Sequence, residues 1–390
     1  MLKELNEFTR QGSVYALNGA EAFAYSDGDE VEQYLKSVLE GADDLSSTSA
    51  ELETAIRDWP TEYHLSSKRA NLLRAFDFSG CRAVLELGSG CGAVTRFLGE
   101  RGLVVDAIEG SPVRAELTSL RCRGLEGVSV YCGNFNDLAL PRDHYDLVVL
   151  IGVAEYAARF MGDRAGGAQP VVAMLSSLKG ALAEQGMIVV AIENRTGMKY
   201  QLGASEDHYA KPFIGINDYF GVRDINTYTL PEWNRILADA GVASSDLYLP
   251  FPDYKLPTVL LSQDFARNNP YAFNNLEGAA SRDYVALFKP QVRESLLWQS
   301  AAASGTLDAV SNSFLFLLSF SDQDIRDRHG FDFAHLPAFT RRREYCLIAR
   351  KPAGRVDCPR YLCENVLGRQ ALTTRARAER QLSANAGHVS

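Results

Sequence analysis

The sequence lacks any apolar run that approaches the ~18 residues of a membrane-spanning helix. Its first residues also lack the basic and then apolar layout of a secretory signal. Positive charge is in deficit: the formal net charge is −9, whereas nucleic-acid binding needs a basic face that neutralises phosphates. We therefore expect a cytoplasmic protein with no nucleic-acid partner and no transmembrane segment. Peripheral contact with the inner membrane stays open.

The seven cysteines lack the paired spacing of metal-binding motifs. Several lie within apolar segments or at their ends, as Cys132 does. We therefore expect reduced, mostly buried thiols. With 390 residues and 46% hydrophobic content, the chain is long enough for one large elaborated domain or for two domains.

The most informative stretch is AVLELGSGCG at residues 83–92. An apolar run contains Glu86 near its end, and three glycines follow at alternate positions before a helical pattern over residues 93–100. This pattern predicts a buried strand, a tight turn and a helix start. Such a turn lets a ligand approach the backbone closely, and the free N–H groups of the helix start attract polar ligand atoms. The glycine spacing departs from the dinucleotide fingerprint, which disfavours a dehydrogenase.

Four later apolar runs also end in polar residues. The second run ends at Glu109, and Asn134 and Phe135 follow the third. Residues 145–151 and 186–192 form the fourth and fifth runs. Open α/β sheets bind ligands at the carboxyl ends of their strands, so these residues predict a nucleotide-like site in which Glu109 bonds ribose hydroxyls. Asn134 would bond the adenine edge, and Phe135 would pack on the adenine face.

The glycine turn resembles motif I of the class I S-adenosylmethionine-dependent methyltransferases. The resemblance implies a Rossmann-like α/β fold with a seven-stranded, mostly parallel sheet, an antiparallel terminal strand and S-adenosyl-L-methionine (SAM) as cofactor. The residues predicted to bind SAM are Glu86, Gly88, Ser89, Gly90, Gly92, Glu109, Gly110, Asn134, Phe135, Gly152, Tyr63 and Arg69.

Three further stretches, residues 63–69, 193–208 and 250–257, are similar to methyltransferases associated with bacterial surface-polysaccharide (O-antigen type) glycosyltransferases. The resemblance implies a carbohydrate or glycolipid acceptor and a possible glycosyltransferase partner. By analogy, Tyr63 and Arg69 would face the methionine end of SAM, and a solvated helix face is the alternative for Arg69.

Methyl transfer from a sulfonium requires an aligned acceptor and the removal of one proton. A sugar hydroxyl is a weak acid, so a base that titrates near neutrality helps, and histidine is the usual choice. We predict His208 as this base, with Asp207 or Glu206 fixing its tautomer; substrate-binding and structural roles stay open. Glu155 is predicted beside the sulfonium, where it would orient the acceptor, lie against the cation or cap a helix.

The acceptor site is predicted from side chains that suit a carbohydrate, namely amides, acids, cations and an aromatic ring. They are Asn194, Lys199, Tyr200, Asp253 and Lys255. No metal is predicted, although a divalent ion held by Asp207, His208 and Asp253 is an alternative. His64 is interpreted as structural rather than catalytic.

The predicted organisation has five parts. They are an N-terminal helical segment (1–58), the SAM-binding core (59–262), an insertion (263–335), the final core strand (336–352) and a basic tail (353–390). The best candidate for the final antiparallel strand is residues 344–351. Within the insertion, residues 284–288 and 313–320 are predicted to form apolar helices, or residues 313–320 a strand that pairs with residues 345–350. The tail is expected to be a solvated charge run, with contact to a partner or anionic membrane as the alternative.

The first hypothesis is therefore an O-methyltransferase acting on a sugar hydroxyl of a surface polysaccharide or its lipid-linked precursor. The alternatives are a small-molecule or natural-product O- or N-methyltransferase, and a non-catalytic, cofactor-binding partner of a glycosyltransferase. Glu86 and Glu109 are both intact, which argues against a decayed site.

Overall fold

The computed structural model describes residues 2–19, 27–160, 167–222, 224–276, 278–285, 289–326, 330–336, 347–352 and 362–365. The strands are β1 (Phe8–Gln11), β2 (Val14–Leu17), β3 (Ala83–Leu87), β4 (Val104–Glu109), β5 (Val128–Cys132), β6 (Tyr145–Ile151), β7 (Leu182–Glu193), β8 (Ser244–Phe251), β9 (Val259–Ser262), β10 (Ser313–Ser319), β11 (Phe331–His335), β12 (Leu347–Pro352) and β13 (Leu362–Asn365). The helices are α1 (Leu2–Leu5), α2 (Asp29–Gly41), α3 (Ala50–Thr54), α4 (Trp59–Leu65), α5 (Asn71–Arg74), α6 (Ala93–Glu100), α7 (Pro112–Arg121), α8 (Ala157–Phe160), α9 (Gln169–Leu178), α10 (Met198–Gln201), α11 (Leu230–Asp239), α12 (Gln263–Asn268), α13 (Glu294–Ala303) and α14 (Leu307–Val310).

The strands form one mixed sheet in the order β1-β2-β5-β4-β3-β6-β7-β10-β8-β9-β11-β12-β13. The strands from β2 to β7 in this order are parallel neighbours, and β10 runs antiparallel between β7 and β8. The central strands are rich in valine, leucine and isoleucine because helices cover both of their faces, as in other parallel sheets. This arrangement confirms the predicted Rossmann-like fold and adds strands at both edges.

The antiparallel core strand differs from the predicted one. It is β10, all seven residues of which are buried, and Leu315 pairs with Ala191 on one side and Tyr248 on the other. The expectation of a helix at 313–320 is wrong. The alternative of a strand is confirmed, but the strand pairs with β7 and β8 rather than with residues 345–350. The predicted final strand forms β12 instead, which pairs with β11 and β13 near the sheet edge. In a strand that is buried on both faces, polar and apolar residues do not alternate, so its sequence resembles that of a buried helix.

The N-terminal part contains the predicted helix as α2, but it is not purely helical. A hairpin of β1 and β2 joins the sheet, where Val14 pairs with Val130 of β5. Pro60 lies inside a helix without breaking it. It lies in the first turn of α4, where a missing N–H costs nothing, and Asp58 caps that helix.

Some predictions fall on residues that the structure does not describe. Of the predicted helix at 284–288, Tyr284 and Val285 form a bend, and the rest lies outside the described residues. Of the tail, only β13 is described, so its basic stretch at 374–380 also lies outside. Among the described residues, no helix is long and apolar enough to cross a membrane.

Candidate active site

A cavity of about 610 Å³ opens at the carboxyl ends of the parallel strands. Its walls come from the turns after β3, β4, β5 and β6, from the end of β7, and from α4. The segments around His208, Tyr254 and Tyr284 complete it. Cavities of this size and position commonly hold a small molecule or cofactor.

The glycine turn after β3 has the backbone that the sequence predicts. Gly88 and Gly92 have φ values of +74° and +78°, which side-chain-bearing residues rarely adopt. A Cβ on Gly88 would lie 2.6 Å from Val153 Cγ2, and one on Gly92 would lie 2.9 Å from Thr118 Cα. Gly92 precedes α6 and is not part of the cavity wall, whereas Gly88 is.

Two carboxylates flank this turn. Glu86 is 3% exposed, and burial raises its pKa to about 8. Its Oε2 has no hydrogen-bond partner among the described residues, so a ligand donor there would offset its desolvation. Glu109 accepts hydrogen bonds from the backbone N–H groups of Gly90 (2.7 Å) and Ser111 (2.9 Å), and burial raises its pKa. Amine and hydroxyl groups of a nucleoside cofactor fit these acceptors.

The other residues predicted to bind the cofactor also line the cavity. They are Ser89, Gly90, Gly110, Asn134, Phe135, Gly152, Tyr63 and Arg69. Arg69 is not on a solvated helix face, since it is 6% exposed. It donates hydrogen bonds to the Lys255 carbonyl oxygen (2.7 Å) and to the Tyr63 hydroxyl (3.2 Å). Arg69 therefore ties the segment before β3 to the loop after β8.

His64, interpreted as structural from the sequence, also lies in the cavity wall. Its Nε2 is 2.7 Å from Asp27 Oδ2, and that carboxylate accepts a second bond from Arg114 (2.5 Å). Burial lowers the pKa of His64, although Asp27 opposes the shift. The contact links the N-terminal part of the chain to the cofactor side of the cavity.

His208 lies between two glutamates. Its Nδ1 is 2.8 Å from Glu206 Oε1, and its Nε2 is 3.6 Å from Glu155 Oε1. Glu206 also accepts hydrogen bonds from the backbone N–H groups of His208 and Tyr209, both 2.8 Å long. Burial opposes the charged imidazole, but the hydrogen bonds to Glu155 and Glu206 raise the pKa of His208 well above its usual value. Of the two partners left open by the sequence, Glu206 is the one that contacts His208.

Asp207 points to a different set of partners. Its carboxylate accepts hydrogen bonds from Lys255 Nζ (2.7 Å), the Tyr200 hydroxyl (2.9 Å) and Lys199 Nζ (3.1 Å). Burial disfavours its ionised form, but Lys199 and Lys255 hold the pKa of Asp207 well below its usual value. The predicted pairing of Asp207 with His208 is therefore wrong, and Asp207 anchors two lysines instead.

Glu193, the last residue of β7, was not among the predicted site residues. It is 1% exposed, and its Oε1 accepts hydrogen bonds from Lys255 Nζ and from the Tyr254 hydroxyl (3.2 Å). Its Oε2 and the Oε2 of Glu155 have no partner among the described residues. Burial raises the pKa of Glu155. The available signal for Glu193 was its place at a strand end, which it shares with Glu109.

The predicted acceptor residues divide into two groups. Lys255 lines the cavity, whereas Lys199, Tyr200 and Asp253 lie behind its wall. Asn194 is also behind the wall and donates hydrogen bonds to two carbonyl oxygens next to β10, at 2.9 and 2.8 Å. The alternative metal set of Asp207, His208 and Asp253 does not assemble, because Asp253 lies 3.6 Å from Lys199 Nζ and Asp207 contacts two lysines.

A pair of aromatic rings that the sequence did not predict forms part of the cavity wall. The rings of Trp59 and Tyr284 stack with centroids 3.8 Å apart. The Tyr284 hydroxyl donates to Asp253 Oδ2 (2.5 Å), and Arg282 forms two hydrogen bonds with Glu62 of α4, at 2.9 and 2.8 Å. These contacts join α4 to residues 281–285, which carry no recognisable motif.

Residues 84–164 match a family described as a methyltransferase domain. This segment contains the glycine turn and Glu109, whose geometry suits a nucleoside cofactor. The chain therefore carries a class I SAM-dependent methyltransferase domain. SAM is the cofactor that such a domain uses.

Several solved structures are similar to this chain. A SAM-dependent methyltransferase from Archaeoglobus fulgidus is 16% identical (66% of this chain, 96% of that chain, TM-score 0.40). A possible histamine N-methyltransferase from Thermotoga maritima is 11% identical (66% and 91%, TM-score 0.37). Phosphoethanolamine N-methyltransferase 2 from Haemonchus contortus, in complex with phosphomonomethylethanolamine and S-adenosylhomocysteine, is 14% identical (62% and 49%, TM-score 0.35). This chain thus spans about half the length of the Haemonchus enzyme. No match was found among curated proteins.

Proposed function

We propose that this methyltransferase methylates a hydroxyl of a sugar in a bacterial surface polysaccharide or its lipid-linked precursor. The observation that carries the proposal is the pair of buried carboxylate oxygens without partners, on Glu155 and Glu193, in a cavity whose wall contains aromatic rings. Neighbouring sugar hydroxyls donate hydrogen bonds to such oxygens, and sugar faces pack against rings such as Trp59 and Tyr284. The resemblance of residues 193–208 and 250–257 to polysaccharide-associated methyltransferases supports the same acceptor class.

The chain's own residues would hold the cofactor along the strand ends. SAM supplies an electrophilic methyl group, so the protein must align an acceptor and manage one proton. The partnerless oxygen of Glu86 suits an amino group, and Glu109 suits the ribose hydroxyls. Asn134 and Phe135 would contact the adenine.

Glu155 and His208 are the proposed residues at the acceptor hydroxyl. Glu155 Oε1 would be 3.5 Å from a Cβ on Gly152, and this proximity to the turn after β6 supports a role for the carboxylate beside the transferred methyl group. Glu206 orients the His208 ring, and Lys255 braces Glu193 through its hydrogen bond. Asp207 and Lys199 act as structural support for Lys255 rather than on the substrate.

The test is methyl transfer to isolated glycans and lipid-linked sugar precursors, followed by mass spectrometry. We expect His208→Ala to bind SAM like the wild type in calorimetry and to lose at least about 100-fold in turnover. Transfer only to small phenols or amines would overturn the sugar acceptor and favour the small-molecule alternative. If no acceptor is methylated, and replacement of both Glu86 and Glu109 leaves glycosyltransferase activity unchanged, the non-catalytic partner becomes the better interpretation.

A further inference from the structure

We propose that Glu155, Glu193 and His208 bind a divalent transition-metal cation at the acceptor end of the cavity. The inference rests on the proposed function, because it gives the acceptor hydroxyl of that site a charged ligand. One donor atom from each side chain lies within 4.8 Å of the other two. The three donors come from a turn after β6, the end of β7 and the loop after α10, so the fold itself brings them together.

The strongest observation is that each of the two glutamates has one buried carboxylate oxygen without a hydrogen-bond partner among the described residues. Glu155 is 3% exposed and Glu193 is 1% exposed, yet Oε2 of each has no partner among the described residues. A buried carboxylate oxygen without a donor is costly, because water no longer solvates it. Both residues line the cavity, and a cation between them would satisfy both oxygens, so that the acceptor hydroxyls reach the two glutamates through the cation.

The orientation of His208 also suits coordination. Histidine ligands of metals commonly donate their second ring N–H to a carboxylate, which fixes the ring and its tautomer. Here Nδ1 lies 2.8 Å from Glu206 Oε1, while Nε2 faces Glu155. Two backbone N–H groups hold the Glu206 carboxylate in turn, so the ring is preset with Nε2 directed at the cluster.

The charged side chains around the cluster also favour a bound cation. Lys255 Nζ contacts Glu193 Oε1, which opposes cation binding, but it also donates to Asp207 at 2.7 Å. Lys199 is likewise shared between Asp207 and Asp253. Five carboxylates thus face two lysines and one histidine. They are Glu155, Glu193, Glu206, Asp207 and Asp253.

The donor set indicates the kind of ion. Two carboxylates and one imidazole suit Mn²⁺, Fe²⁺ or Zn²⁺, whereas Ca²⁺ and Mg²⁺ prefer oxygen ligands alone. Three protein ligands leave positions open for an acceptor hydroxyl, and a bound cation makes such a hydroxyl more acidic. In this arrangement His208 loses its Nε2 proton to solvent when it coordinates the cation, and the proton of the bound acceptor hydroxyl leaves to solvent as the methyl group is transferred.

The experiment uses the full-length chain after treatment with a chelator. Mn²⁺ is titrated in, with and without SAM, and free Mn²⁺ is followed by electron paramagnetic resonance. We expect one ion per chain, and binding at least tenfold weaker in Glu155→Gln, Glu193→Gln and His208→Gln. Glu206→Gln should weaken binding about 10- to 100-fold through the ring orientation.

Glu116→Gln is the matched control, because Glu116 is an exposed carboxylate that pairs with Lys36 and should leave Mn²⁺ binding unchanged. Retained SAM binding shows that each variant is folded. Absence of Mn²⁺ binding in the wild type, or equally tight binding by Glu155→Gln and Glu193→Gln, overturns the proposal. Glycan methylation that is unaffected by chelator overturns it while leaving the proposed function intact. Site-dependent Mn²⁺ binding with no glycan methylated by the loaded enzyme overturns the proposed function alone.

Discussion

One buried oxygen of Glu86 has no hydrogen-bond partner among the described residues, and burial raises the pKa of this carboxyl to about 8. We therefore expect the carboxyl to be mostly protonated at neutral pH in the absence of ligand. If Glu86 receives the amino group of SAM, the complex favours the ionised form, and binding below pH 8 releases a proton. SAM affinity should therefore fall as the pH is lowered from 8 to 6, by at most about tenfold per pH unit. Calorimetry across this range measures the slope.

Glu86→Gln is the control for this pH dependence. The variant should bind SAM more weakly at pH 8 and with little change between pH 6 and 8. An unchanged slope in Glu86→Gln would place the titrating group elsewhere. The raised pKa also means that the folded state binds more protons than the unfolded state, so the contribution of Glu86 to stability decreases as pH rises from about 4.5 towards 8.

Gly92 permits a second prediction at the residue scale. A Cβ there would lie 2.9 Å from the backbone Cα of Thr118, which cannot move like a side-chain tip. Gly102 has a similar φ, +76° against +78°, but nothing lies within 4 Å of its Cβ position. Gly92→Ala should therefore lower the free energy of unfolding by about 2 kcal/mol or more, and Gly102→Ala by about 1 kcal/mol, in denaturant titrations. Equal losses would mean that backbone conformation alone matters.

The site residues that the sequence predicted best are those at strand ends. Glu86 and Glu109 each stand near the end of an apolar run that is followed by a turn. Both residues line the cavity. Glu193 carries the same signal but is not among the predicted site residues, whereas the adjacent Asn194 is. The identity of the His208 partner was not predictable, since Glu206 and Asp207 are adjacent and only the loop conformation decides which one turns towards the ring.

At the scale of elements, α4 and residues 281–285 contact each other in the cavity wall. Tyr284→Ala would remove both the stacking on Trp59 and the hydrogen bond to Asp253, whereas Tyr284→Phe would remove only the latter. We expect Tyr284→Ala to raise the KM for the acceptor about tenfold, corresponding to about 1.4 kcal/mol, with a smaller rise in Tyr284→Phe and little change in SAM affinity.

Tyr271→Ala is a suitable comparison for these variants, because Tyr271 is 68% exposed and is not part of the cavity wall. It should leave the KM unchanged. A lower kcat at constant KM in Tyr284→Ala would contradict a role in acceptor binding. Contacts of this kind cannot be predicted from a single sequence, because Trp59 and Tyr284 are far apart in the chain and no local pattern links them.

The prediction of elements succeeded where the local pattern was distinctive and failed where packing decides. The glycine turn between β3 and α6 is such a local signal, and it forms as expected. The run of phenylalanine and leucine in β10 fits a helix or a strand equally well. Its state is set by the open positions beside β7 and β8, which are far away in the sequence.

For the whole molecule, the position of β10 determines how much of the C-terminal part of the chain is needed for folding and SAM binding. A chain that ends after residue 336 retains β10 with both of its neighbours and every described residue of the cavity wall. It should fold and bind SAM within about threefold of the full chain, although loss of β12 and β13 exposes the edge of β11 and lowers the melting temperature. Calorimetry and thermal unfolding measure both effects. A chain that ends after residue 312 lacks β10 and should not fold. Failure of the longer truncation to bind SAM would instead favour the sequence-based assignment, in which residues 344–351 complete the core sheet.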